Sequence, residues 1–363
     1  MPDPSRILII RPSALGDVCR TVPVLASLRR AWPQARIDWL VQDTFMDAIW
    51  YHPALTAAVP FPRAGLSADV KRLRLGRVLG WMGRTLREPG YDLVLDCQGL
   101  GRSGLFAWWS GARERIGYAR PEAREFAWLG VKRRVRVEPG THAVERMLAL
   151  VKATGAEPVR DMRLYTGPKE RAFVERRLGR ATDFAGSGAK SVQPGALRYA
   201  VLAPTSRWPA KRWPADRFAA VAEALLGMGM DAVALVGGKS ERDQCGPLLT
   251  LAAREARVID LIGATTVGEL MAVIQTAALV IANDSAALHM AVGFERPAIG
   301  LFGPTRVELV GPYTGHTKTP RSVVIQHVRD GERLDHKDES GGRVLMERIS
   351  VSEAAAASAR ILV

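Results

Sequence analysis

Four segments place acids, hydroxyls or cations directly behind short apolar runs, where a strand would hand over to a helix. In RPSALGDVCRTVP (11–23), Gly16 permits a tight turn and Asp17 follows at the start of a helix. An acid there can simply complement the helix dipole, or it can act as a general base towards a bound hydroxyl. In TSRWPAKRWPADRF (205–218), Thr205, Ser206, Arg207 and Lys211 gather ahead of a helix starting near Pro214. Hydroxyls, cations and helix N–H groups suit a diphosphate; an exposed basic loop over packed tryptophans is the plainer alternative. VGGKSERD (236–243) contains Gly-Lys-Ser but fails the phosphate-loop pattern GxxxxGKS, because Val233 occupies the first glycine position. What remains is a turn at Gly237 with Glu241 in reach of ribose hydroxyls, or an ordinary strand–helix turn. In ANDSAALHMA (282–291), Asp284 and Ser285 end a strand and cap a helix, and small Ala286 and Ala287 let a phosphate approach its N–H groups. His289 lies one turn further in. One Asp-x4-His is weak as a metal site and no second ligand cluster accompanies it, so a buried, hydrogen-bonded His is its plainer role.

These segments need strands to hold them. Apolar, β-branched runs occur at 6–11, 35–42 and 92–99, and again at 199–205, 231–238, 256–263, 277–284 and 296–303, with helix-like stretches between. Such alternation indicates buried parallel strands with helical crossovers, repeated in the doubly wound pattern. Ligands of open α/β sheets bind at the carboxyl ends of the strands, where the four segments fall. Residues 181–198 are rich in Gly, Ala and Ser without periodicity and read as the tail of a linker. The expected organisation is a Rossmann-like domain over 1–165, a linker over 166–197, a second Rossmann-like domain over 198–345, and a final helix over 346–363 that returns to the first domain. The two domains are expected to face a cleft.

The chain of 363 residues is 47% hydrophobic and 24% charged, an ordinary globular balance. Its net charge of +14 calls for anionic partners. Residues 63–87 hold seven Lys/Arg against one acid, with Trp81, Met82 and several Leu interleaved, and 113–136 hold eight basic against three acidic residues. Either region fits anionic lipid or a phosphorylated acceptor, or a solvated helix face. No helix-turn-helix, RNA-recognition or zinc-finger pattern accompanies them, which disfavours nucleic acid. Cys19, Cys97 and Cys245 are far apart and odd in number, so a disulfide framework or zinc site is not expected. No apolar stretch suits a signal peptide or membrane span, and a cytoplasmic location is the expectation.

Residues 11–41 and 283–305, with LDCQGLGRSGLFAWWSGARERIGY (95–118) and THAVERMLAL (141–150) between them, resemble the ADP-heptose:lipopolysaccharide heptosyltransferases. The similarity runs over nearly all of 6–310, and the two middle stretches are most similar to heptosyltransferase I, which acts on Kdo-lipid A. The resemblance implies a GT-B fold and an inverting transfer that needs no metal or cofactor. It makes Asp17 the catalytic base and Lys211 the cation beside the donor diphosphate. Thr205 and Ser206 become hydroxyls at that phosphate, Gly237 and Glu241 the ribose side, and Asp284, Ser285, Ala286 and His289 the donor-binding turn. For the acceptor it points to Arg63, Arg72, Gln98, Arg115, His142 and Arg146. Its partners would be a nucleotide sugar, an anionic lipid-linked acceptor and the inner face of the cytoplasmic membrane. The chain departs from the family in one extra residue between Arg207 and Lys211, in Ser206 where Thr is usual, and in a strongly charged tail over 327–342. Alternatives are another member of the family, a two-Rossmann sugar-nucleotide epimerase, and a non-catalytic binding protein. An oxidoreductase is disfavoured, since no GxGxxG follows a strand.

Overall fold

The computed structural model describes residues 3–179, 197–315 and 321–362. The chain divides into two compact units, Met1–Tyr165 and Thr166–Val363. The expected linker tail over 181–198 lies almost wholly outside the described residues.

The first unit is built on β1 (Arg6–Ile10), α1 (Leu15–Ala31), β2 (Arg36–Gln42), β3 (Ala57–Phe61), α2 (Arg63–Lys71), α3 (Leu75–Met82), β4 (Leu93–Asp96), α4 (Gly101–Trp109), β5 (Glu114–Tyr118), β6 (Arg133–Val135) and α5 (Ala143–Thr154). Its six strands are all parallel, in the order β3-β2-β1-β4-β5-β6. Ile7, Leu8, Ile9 and Ile10 are all fully buried, because helices cover both faces of a parallel sheet and leave no face for polar residues. One face packs Leu8, Ile10, Leu40 and Val94 against Leu86 and Phe106. Helix α5 closes at Gly155, whose φ of +94° is the left-handed stop that glycine adopts without strain.

The second unit contains α6 (Pro168–Arg177), β7 (Tyr199–Ala203), α7 (Ala215–Gly227), β8 (Ala232–Leu235), α8 (Gly246–Arg254), β9 (Val258–Asp260), α9 (Val267–Thr276), β10 (Leu279–Asn283), α10 (Ala286–Gly293), β11 (Ala298–Phe302), α11 (Val307–Val310), β12 (Ser322–Gln326), α12 (Glu339–Glu347) and α13 (Val351–Leu362). Its strands run β12-β11-β10-β7-β8-β9, again all parallel. Numbered within each unit, both sheets have the order 3-2-1-4-5-6 of the doubly wound fold. The strand order reverses between β1 and β4 in one, and between β7 and β10 in the other.

Residues 166–177, read from sequence as part of a linker, fold onto the second unit. Helix α6 packs against α9, and Phe173 is buried. The final helix, expected to return to the first domain, belongs to the second unit, where α13 packs on α7, β11 and β12. Its Ala354 and Ala357 join the core around Phe218 and Leu225, so its apolar face is satisfied there. The start is a capping box: the Glu353 N–H donates to Ser350 Oγ (3.2 Å) and the Ser350 N–H to Glu353 Oε2 (2.8 Å).

Candidate active site

In the first unit, polar groups collect where β1, β4 and β5 end. Asp17, in the first turn of α1, accepts from the Arg11 guanidinium at 2.9 Å, from the Arg20 guanidinium, and from the Ala14 N–H at 3.3 Å. Burial pushes its carboxyl up, but the two guanidiniums and the Ala14 N–H outweigh that and hold it well below the usual carboxylate range. The carboxylate is thus ionised across the physiological range, and a quarter of it remains exposed. It does part of a helix-cap's work as well, through Ala14.

Arg11 sits at the end of β1 and also donates to the Cys97 carbonyl. At the end of β4, Asp96 is fully enclosed, accepting from the N–H groups of Gln98 (3.0 Å) and Gly99 (3.1 Å) and from the Ser103 hydroxyl (2.9 Å). Burial pushes it up to about 6 against those hydrogen bonds. The Gln98 side chain accepts from the Ser13 N–H at 3.3 Å, joining the β1 and β4 loops. Arg146 on α5 acts electrostatically on Tyr118, at the end of β5. His142 caps α5, its Nδ1 accepting from the Val144 N–H at 3.2 Å.

The remaining acceptor candidates lie elsewhere. Arg63 is exposed at the start of α2, directly behind β3, and Arg72 is exposed at the far end of that helix. Arg115 is near the amino end of β5, the edge away from the strand termini that carry the site. Its guanidinium donates to the carbonyls of Ala112 (2.7 Å) and Gly130 (3.0 Å), tying β5 to the neighbouring loops.

In the second unit, residues 205–211, 237–241 and 284–289 leave the carboxyl edges of three adjacent strands, β7, β8 and β10. Lys211 Nζ lies 2.6 Å from Asp284 Oδ2, and both side chains are largely buried. Asp284 directly precedes Ser285, the N-cap of α10, whose hydroxyl is buried without a partner. Ala286 opens the helix, while His289 is buried within it. Glu241 Oε2 accepts from the Thr205 hydroxyl (2.8 Å) and the Gly238 N–H (3.0 Å). Gly237 lies against Thr205: a Cβ there would fall 2.9 Å from Thr205 Cγ2, so the approach requires glycine. Ser206 is buried, and its N–H donates to Gln244 Oε1 at 3.2 Å.

Sequence reasoning missed the residue that ties this edge together. Asn283, fully buried at the end of β10, donates to the Pro204 carbonyl (2.7 Å) and accepts from the Trp213 N–H (3.1 Å). It thereby fixes both ends of the loop that carries Thr205, Ser206 and Lys211. Arg11 and Arg20 were missed too; Arg20 was detectable in principle, since residues three apart on a helix are neighbours. Among the described residues, no cluster of three or more His, Cys, Asp or Glu could hold a metal ion, and no helix is long and apolar enough to cross a membrane. The three cysteines are buried and unpaired.

Two Rossmann-like sheets of one strand order, one ending in a cation and hydroxyl site and the other in a clamped carboxylate, are the architecture of the GT-B glycosyltransferases. The chain belongs to glycosyltransferase family 9 (heptosyltransferase), whose family model matches residues 80–338. It is 29% identical over 310 residues to lipopolysaccharide heptosyltransferase 1 of Pseudomonas aeruginosa, covering 85% of this chain and 81% of that protein. Solved structures that share its fold include the following two. The glycosyl transferase family 9 protein of Veillonella parvula aligns with a TM-score of 0.77 at 22% identity, covering 99% of this chain and 97% of that one. The ADP-heptose lipopolysaccharide heptosyltransferase II of Escherichia coli aligns at 0.72 and 20%, covering 98% of each.

Proposed function

We propose that this chain transfers a heptose from ADP-heptose to the Kdo-lipid A inner core, by a single inverting displacement. The observation that carries the reading is the Lys211–Asp284 pair at the N-terminus of α10, beside the Thr205–Glu241 pair, all on the edge where the second sheet reverses its strand order. Cation, hydroxyls and helix N–H groups there suit a diphosphate leaving group. In the mechanism, Asp17 takes the proton of an acceptor hydroxyl. The freed oxygen bonds to the anomeric carbon from the face opposite the diphosphate. The bond from that carbon to the β-phosphate oxygen breaks, and its electron pair leaves with ADP. Lys211, Thr205, Ser206 and the α10 N-terminus hold the charge that develops there. These fixed donors give the leaving group its stabilisation without a divalent cation, and we propose a metal-independent reaction.

Action on the first heptose site draws support from the 29% identity with a heptosyltransferase 1. The acceptor is anionic through its carboxylates and phosphates, which suits the net charge of +14. Helices α2 and α3 supply a surface for an anionic membrane: Val70, Leu73, Leu75 and Leu79 are exposed, Leu73 by 83%, among Lys71, Arg72, Arg74 and Arg77.

The test is ADP release from ADP-heptose by purified protein. Release should require Kdo-lipid A and continue in EDTA. Donor turnover without any acceptor would indicate an epimerase or hydrolase. Turnover only with an acceptor that already bears heptose would assign a later member of the family. Loss in EDTA with recovery in magnesium would contradict the metal-independent step.

A further inference from the structure

The charged segment 327–342 has no role in the reading above, yet it is firmly built. His327 Nε2 lies 2.7 Å from Glu353 Oε1 at one end. Glu332 accepts from both guanidinium nitrogens of Arg348 (2.7 and 2.6 Å) and from the Arg329 N–H (2.8 Å). Asp338 caps α12, accepting from the Gly341 N–H at 3.1 Å. Helix α12 in turn presses on the turn at 209–211 that carries Lys211. A Cβ added to Gly342 would lie 2.5 Å from Ala210 Cβ and 2.7 Å from its carbonyl oxygen, so only glycine allows this approach. The strap is thereby held beside the diphosphate candidate site. His336, half-buried, stands edge-on to Trp208 with ring centroids 4.9 Å apart. Arg207 lies over the same Trp208 ring at 5.8 Å, and the charged groups Lys211, Asp335, Lys337 and Asp284 act electrostatically on the His336 imidazole. Two of those four are the ion pair of the site.

We propose that His336 is a donor-site residue that takes up a proton when a nucleoside diphosphate sugar binds, and holds the diphosphate together with Lys211. The inference rests on the donor reading above and adds to it a residue and a proton. Burial first, and Lys211 next, lower the pKa of the imidazole from its ordinary value, which favours the neutral ring. A diphosphate beside Lys211 brings negative charge close to the ring and favours the imidazolium. Binding then carries a proton with it. Affinity rises as pH falls through the window between the bound-state pKa and the lower value without nucleotide.

The experiment uses ADP as the probe and compares dissociation constants of the wild-type chain and His336→Gln by calorimetry from pH 6 to 8.5. The ratio of the two constants cancels the titration of ADP itself. We expect the variant to bind about tenfold more weakly at pH 6 and within about twofold at pH 8.5. A ratio that does not change with pH, at unity or at a constant loss, overturns the proposal while leaving the donor reading in place. A wild-type chain that binds no ADP at any pH overturns both.

Discussion

Asp17 shows how a single carboxylate can be tuned against its own burial. Desolvation alone would raise its pKa, but Arg11 and Arg20 reverse the sign. A carboxylate held so low is always available as a proton acceptor, yet it is a weak one. As the proposed base it would therefore receive the proton as the new C–O bond forms and the hydroxyl becomes acidic, rather than beforehand. Removing one guanidinium makes the carboxylate a stronger base that protonates at higher pH. In Arg20→Ala, the acid limb of the kcat/KM profile should move up by about one to three pH units. An unmoved acid limb would show that Arg20 does not set the ionisation of the catalytic base.

At the scale of elements, the second site depends on one buried amide. Replacing Asn283 with Ala leaves the Trp213 N–H and the Pro204 carbonyl without their partner in a dry place, and frees both ends of the loop. The expected loss is about 2–3 kcal/mol of stability, with weaker ADP binding. Denaturant titration and calorimetry on the variant check it, and unchanged values for both would refute the role. The same scale shows what the sequence made legible. All eight apolar runs are strands, because buried parallel strands are apolar on both faces. Four strands escaped. β3 (AAVPF) carries Pro60, and β6 (RRV) is mostly charged, as edge strands tolerate. β5 (ERIGY) begins with two charges, and the edge strand β12 leads into the charged tail. The loops behind strands were legible from residue type and position. The Thr205–Glu241 bond, spanning 36 residues, was not, nor were the arginine clamp on Asp17 and the place of His336. Apart from Arg20, whose spacing of three on α1 already makes it a neighbour of Asp17, each depends on tertiary placement that no local pattern encodes.

At the scale of the whole molecule, the lipid interface proposed above rests on the net charge of +14 and the exposed leucines of α2 and α3. Replacing Leu73, Leu75 and Leu79 with Ser should leave ADP binding intact, since they lie in the first unit. It should weaken partitioning onto phosphatidylglycerol vesicles by about tenfold or more. Equal partitioning of variant and wild type in a vesicle sedimentation assay would contradict a lipid contact at this surface. We propose a division of labour, with the base in the first unit and the leaving-group site in the second. The most direct test measures acceptor-dependent ADP release by Asp17→Asn at saturating donor, with ADP affinity determined on the same preparation. Asn keeps the shape and removes the basic oxygen, so turnover should fall by about 10²–10⁴-fold while ADP affinity stays within about twofold. Near wild-type turnover in Asp17→Asn would contradict the account.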